Sequence, residues 1–276
     1  MIHVVTAENA HLYTDQLLEM HRWRRIQCIE TNGWRDLVVV EGGEYDDFDD
    51  DLAIYLLGLN AAGAIEVGMR CHPSEPRCML ADKYPQLIAE GETPKKGADV
   101  WEISRLFTTA AYRDRKSGRG ERVFEVYVAA MEIALAAGVT RLVGMLDMAL
   151  YASVSASPIE FRLTGLPQPY QFGVMAGVEI PLSDALLLRM REAIAVDHAV
   201  AYQADPSEVE YAGSVEAVER VWHEGWKAAE RRRPVSREEG IAQIEALYRR
   251  HDRQLSLRAH RKVAEEVWRE RTPQPS

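Results

Sequence analysis

Six carboxylates fall within eight residues at 44–51, EYDDFDDD, and the run leads straight into an apolar stretch, LAIYLLGL, at 52–59. Such a charge density repels itself unless cations stand beside it. Arg24 is one such cation. It lies four residues from both Met20 and Cys28, on the apolar face of a periodic segment, so it either points inward to a partner or snorkels to the surface. Glu102 stands between Trp101 and Ile103 in VWEISRLFTT, residues 100–109. Partial burial there would raise its pKa and suit it to general-base work, or it would brace Arg24, Arg70 or Arg105; both readings stand. Glu102 and Arg105 are three apart, which in a regular strand puts them on opposite faces, so one shared site requires a β-bulge between them.

The acidic run is not a calcium loop of the EF-hand type, because it lacks the glycine at the sixth position and the glutamate at the twelfth. A second motif is RKSGRG at 115–120, after a strand-like run and before a long helical one. Arg115, Gly118 and Gly120 would there open a helix whose free backbone N–H groups cradle a phosphate-bearing arm. Arg113, Arg115, Lys116, Arg119 and Arg122 would also attract an acidic partner; the alternative is a solvated basic turn.

The elements that must position these groups follow from periodicity. Residues 8–30 read as a helix. Residues 52–60 and 63–70 read as two strands joined by an N-A-A-G turn, and 100–109 as a further strand. Residues 121–137 read as a helix with Glu121, Glu125 and Glu132 on the solvent face and Gly138 at its C-terminal cap, and 139–146 returns as a buried strand. This is an α/β unit. From residue 183 onward amphipathic helices at 185–194, 215–226, 236–248 and 257–268 have Arg- and Glu-rich outer faces, which gives two units, 1–182 and a helical extension over 183–276.

A net charge of −10 argues against a general nucleic-acid binder and favours a cationic small molecule. The N-terminus lacks the pattern of a signal peptide and no apolar run is long enough to span a bilayer, so a cytoplasmic protein without membrane contact is expected. Cys28, Cys71 and Cys78 match neither a disulfide framework nor a zinc site, and they read as reduced core thiols; no metal is expected.

Five spaced motifs carry a resemblance: Arg24, Cys28 and Trp34; Glu44, Asp46, Phe48 and Asp49; Gly68, Met69 and Arg70; Met79 and Leu80; Trp101, Glu102, Ser104 and Arg105. In order and spacing they resemble the N-acylhomoserine lactone synthases of the LuxI autoinducer type, strongly over residues 1–110 and weakly to about 180. The resemblance implies an α/β (α+β) fold of the GCN5-related N-acetyltransferase kind, a mixed sheet flanked by helices. It also implies S-adenosylmethionine as acceptor, acyl-CoA or an acylated acyl carrier protein as donor, and no tightly bound cofactor. Arg24, Trp34, Asp46, Asp49 and Arg70 would then shape the acceptor site and its ion pairs, with Glu102, Ser104 and Arg105 at the reacting centre and the glycine loop on the donor's phosphopantetheine arm.

Under the resemblance Asp46 and Asp49 would brace Arg24 and Arg70 and set the potential for a ligand carrying an ammonium and a sulfonium, whereas Asp47, Asp50 and Asp51 would be solvated. Where this chain has Cys28 the family usually has Phe, so that wall is either missing or supplied by Trp23. The C-terminal helices could serve homo-oligomerisation. Two other readings are an N-acyltransferase of the same fold acting on another amine, and a noncatalytic carrier-protein or cofactor-binding regulator.

Overall fold

The alternation at 52–60 and 63–70 folds into the antiparallel strands β4 (Ile54–Leu59) and β5 (Ile65–Pro73), with Gly63 in the turn at φ +77°. The computed structural model describes residues 1–205 except 61, 76, 115–120 and 172. Around this hairpin the chain runs β1 (Ile2–Val5), α1 (Thr14–Arg25), β2 (Val38–Val40), β3 (Gly43–Tyr45), β4, β5, α2 (Met79–Lys83) and β6 (Val100–Thr108). It continues through α3 (Ala110–Asp114), α4 (Glu121–Ala136), β7 (Arg141–Asp147), α5 (Tyr151–Ser155), β8 (Arg162–Leu163), β9 (Gln168–Tyr170), β10 (Gly173–Pro181), α6 (Asp184–Ala193) and β11 (Ala201–Tyr202).

The main sheet has the order β11-β1-β4-β5-β6-β7-β10-β8, with β9 also on β10. It is mixed, since β1 with β11 and β6 with β7 are parallel pairs among antiparallel neighbours. Helices α4 and α6 cover one face, and α1 and α2 the other. This is a mixed sheet flanked by helices, as the resemblance implies.

Two departures from regular geometry in this sheet create the site. The first is the β-bulge that a shared site for Glu102 and Arg105 requires. Arg70 pairs with Ser104 but Gly68 with Phe107, so Arg105 and Leu106 share one opposing residue, and Arg105 takes φ +55°. The alternation therefore slips: Trp101, Ile103 and Leu106 pack on the α4 side, while Phe107 joins the α1 side. The second is a split. The parallel ladder between β6 and β7 runs from Val100 and Arg141 to Ile103 and Gly144 and stops. Beyond it β6 stays with β5 to Thr108 and β7 with β10 to Asp147. At the fork a Cβ on Gly144 would stand 2.7 Å from the Ile103 carbonyl oxygen, so only glycine allows the strands to close there before they part.

The helix read over 8–30 is three pieces: a 3-10 turn at Ala10–Tyr13, α1, and a π turn at Ile26–Thr31. Met20, Arg24 and Cys28 are all buried on its inner face, which settles the inward reading of Arg24 over the snorkelling one. The π turn, in which Asn32 N–H donates to the Gln27 carbonyl, widens the helix end where Gln27, Cys28 and Asn32 face the site.

Two sequence expectations need correction. Glu132 is not on a solvent face: it is 3% exposed, accepts hydrogen bonds from Arg191 and from the Val200 and Ala201 N–H groups, and pins α6 and β11 to α4. For the same reason the boundary expected after residue 182 falls inside packed layers. Leu186, Leu187 and Met190 of α6 belong to the α4-side core, and β11 extends the sheet beside β1. The helices read at 215–226, 236–248 and 257–268 lie outside the described residues.

Candidate active site

Three arginines and three carboxylates meet under α1. Arg24, 1% exposed, donates Nε to Glu44 Oε2 at 2.6 Å and both terminal nitrogens to Asp49 at 2.6 and 2.9 Å. Arg70, also 1% exposed, reaches Asp46 at 2.6 Å and Asp49 at 2.8 Å, and its Nε donates to Ser104 Oγ at 3.2 Å. Arg105 closes the set on Glu44 at 2.9 Å and Asp46 at 2.7 Å. Tyr55 adds its hydroxyl to Asp49 at 2.9 Å. Burial works against the charge of Asp49, yet the hydrogen bond and charge of Arg24, then Arg70, hold its carboxyl well below the ordinary range. Asp46 is lowered in the same way by Arg70 and Arg105 against its burial.

Sequence reasoning placed Asp46 and Asp49 here; Glu44 it quoted in a motif but gave no role. Glu44 has no exposed surface and joins Arg24 to Arg105. Among the three aspartates expected in solvent, Asp50 differs: it pairs with His72 at 3.0 Å and Arg77 at 2.8 Å, while Asp47 meets Lys83 at the exposed rim.

Glu102 braces something other than the arginines. Its two oxygens accept the N–H groups of Met79 at 2.6 Å and Leu80 at 2.7 Å, at the start of α2, with the Cys78 thiol at 3.6 Å. Burial pushes its carboxyl up, more than these N–H groups and the charge of Arg70 pull it down. A carboxylate has about four lone-pair positions, so further acceptor capacity remains.

The split opens into a cavity of about 380 Å³. Its walls come from both sides of the sheet: Cys28, Trp34, Ser104 and Arg105 from the α1 side, and Met69, Ile103, Leu106 and Tyr127 from the α4 side. The cavity therefore threads the sheet where the ladder is missing, and the facing strand edges at 104–106 and 145–147, which do not pair with each other, border it. A tighter recess of about 30 Å³ adjoins it on the α2 side, with Tyr84, Gln86, Gln168 and Tyr170 in its wall. Trp34, Arg105, Met145 and Met175 border both spaces. Trp34 and Tyr84 meet Tyr170 edge-on, at 5.7 and 5.6 Å between centroids. Arrangements of this kind hold a flat or cationic group against aromatic faces.

The sequence profile described as Autoinducer synthase matches residues 8–187, more than half of the chain. The chain belongs to the autoinducer synthase family. An isovaleryl-homoserine lactone synthase of Bradyrhizobium diazoefficiens is 31% identical over 147 residues, 53% of this chain and 64% of the relative. The match thus spans less than two thirds of that relative's length. An acyl-homoserine-lactone synthase of Aeromonas salmonicida is 29% identical over 210 residues, 72% of this chain and 90% of the relative. In fold, the chain is similar to a CoA-dependent acyl-homoserine lactone synthase solved with SAM and isopentyl-CoA: TM-score 0.67, 24% identity, 80% of this chain and 97% of that one.

Within this member of the family the structure brings Arg24, Asp46, Asp49, Arg70, Ser104 and Arg105 together, with Trp34 on the shared wall of cavity and recess. Glu102 lies on the same face of β6 but borders neither space. Arg115, Gly118 and Gly120 lie outside the described residues. Of the arginines beside them, Arg113 turns to Gln27 and the Thr108 carbonyl, and Arg122 to Glu66, Glu125 and the carbonyls of Met1 and Leu59, so both serve the fold. Trp23 packs in the α1-side core with its indole N–H on Glu19, away from both spaces, so it does not supply the wall at Cys28. Among the described residues there is no metal-binding cluster, and no helix is long and apolar enough to cross a membrane.

Proposed function

We propose that this chain makes an acyl-homoserine lactone from S-adenosylmethionine and an acyl thioester, carried on coenzyme A or on an acyl carrier protein. The observation that supports the reading most is the junction of two spaces at Trp34 and Arg105, one threading the split sheet and one edged by aromatic rings. The thioester arm lies along the unpaired strand edges of the split, where backbone groups can hydrogen-bond it and receive the developing oxyanion. The sulfonium and adenine of the acceptor lie against Trp34, Tyr84 and Tyr170. The relative solved with SAM and isopentyl-CoA binds one ligand of each class, which supports the same division here.

The chemistry is two substitutions. The acceptor's amine nitrogen attacks the thioester carbon, the C–S bond breaks, and the donor leaves as its thiol. The amine must first lose a proton. Asp46 and Asp49 are held ionised by arginines and are poor bases; Glu102, raised by burial, is the suitable carboxylate and, since it borders neither space, takes the proton over bridging water rather than by direct contact. The acceptor's carboxylate oxygen then attacks its own γ-carbon, the bond to the sulfonium breaks, and neutral methylthioadenosine leaves. Holding the chain bent is most of what the second step needs. Incubation of the full chain with S-adenosylmethionine and a panel of acyl thioesters should release methylthioadenosine and an acylated lactone in equal amounts. No methylthioadenosine with any donor would sink the proposal.

A further inference from the structure

The α4 side of the cavity is built from hydrocarbon, with Met69, Ile103, Leu106 and Ile180 in its wall, and Tyr127 stands among them. Its hydroxyl makes no hydrogen bond to any described residue. The ring is only part-buried by exposure, yet its surroundings push the phenol up to about 12, with burial as the cause. The two facts agree if the surface that Tyr127 exposes belongs to the cavity and not to bulk solvent. A hydroxyl so placed is satisfied by water while the cavity is empty of substrate. A purely alkyl chain entering would displace that water and leave the hydroxyl unpaired; a chain with an oxygen at the same depth would replace the bond.

Resting on the proposed function, we infer that Tyr127 selects acyl donors whose chain carries a hydrogen-bonding oxygen, a keto or hydroxyl group, beyond the thioester carbonyl. The inference reaches past lactone synthesis itself, because any hydrocarbon-lined cavity would serve that. Tyrosine suits the task because its hydroxyl both donates and accepts, so one residue reads either oxygen type.

The test is direct binding of acyl-CoA thioesters to the full chain by calorimetry. Donors are matched in chain length, one unsubstituted and the others with a keto or hydroxyl group at successive positions. At one position the oxygenated donor should bind roughly tenfold more tightly than the plain one, the fold-change of one net hydrogen bond. In Tyr127→Phe that ratio should fall to near one. A wild-type ratio near one at every position would overturn the inference, and so would a Tyr127→Phe ratio equal to that of wild type. Because binding is read without turnover, the result stays separate from the methylthioadenosine assay, which judges the proposed function. A ratio also tolerates partial misfolding of the variant, since every donor meets the same folded fraction.

Discussion

Glu44 stands between Arg24 and Arg105, accepting Nε of the first at 2.6 Å and Nη2 of the second at 2.9 Å, and has no surface in water. It links α1 to the bulge of β6, about 80 residues further along the chain. Glu44→Gln would leave one guanidinium charge buried without its counter-charge. Removal of one partner from a buried pair costs about 3–5 kcal/mol. Urea unfolding should show a loss of that size, and a loss below about 1 kcal/mol would mean that water already screens the cluster.

Acid should loosen the same cluster. Asp46 and Asp49 have folded pKa values below their ordinary 3.8, because their arginines outweigh the penalty of burial. A carboxylate lowered on folding contributes stability that is complete above its unfolded value and is lost as pH falls below it. Thermal unfolding should thus be insensitive to these groups between pH 7 and 5 and drop steeply below about 4. In Asp49→Asn, already less stable at neutral pH, the drop should be shallower.

Glu102 has the opposite shift, so its titration lies above the 4.5 of a free glutamate. As a base it must be ionised, and kcat/KM should fall as pH is lowered through that raised value. Glu102→Gln should lower kcat by roughly 100-fold or more and abolish that acidic limb. A reduced rate with the limb unmoved would assign Glu102 to holding α2 alone.

Gly144→Ala would push a methyl group against the Ile103 carbonyl at the fork of the split. Overpacking of this kind costs about 1–3 kcal/mol. It also spreads β6 from β7 earlier than Ile103, which changes the cavity directly beneath the thioester. Activity should therefore fall further than stability predicts, as judged by turnover at a temperature where the variant remains folded.

What the sequence disclosed depended on whether its signal was local. A shared face for Glu102 and Arg105 required a bulge, which β-strand spacing alone makes testable and the fold contains, while the spacing of Arg24 from Met20 and Cys28 left its inward and outward readings open. The π turn left no trace, since Cys28 fits an ordinary helical repeat from Arg24. Glu132 was misread because a row of glutamates on one helix looks solvated until a distant arginine, Arg191, and the β11 backbone cover it. Glu44 sat in a matched motif, but nothing local separates its buried carboxylate from that of Asp47, which is open to water at the rim.

The acidic run at 44–51 dominates the sequence, yet inside the fold its inner members are cancelled. Three guanidinium groups face Glu44, Asp46 and Asp49, and Asp50 and Asp47 have cations of their own. Seen from a few ångströms away the segment is electrically quiet, so it does not set up the attractive potential that the carboxylates alone suggest. A positively charged acceptor of the proposed kind would therefore not be drawn in from afar by this run. Whatever steering a cation feels comes from the rest of the anionic surface rather than from this run.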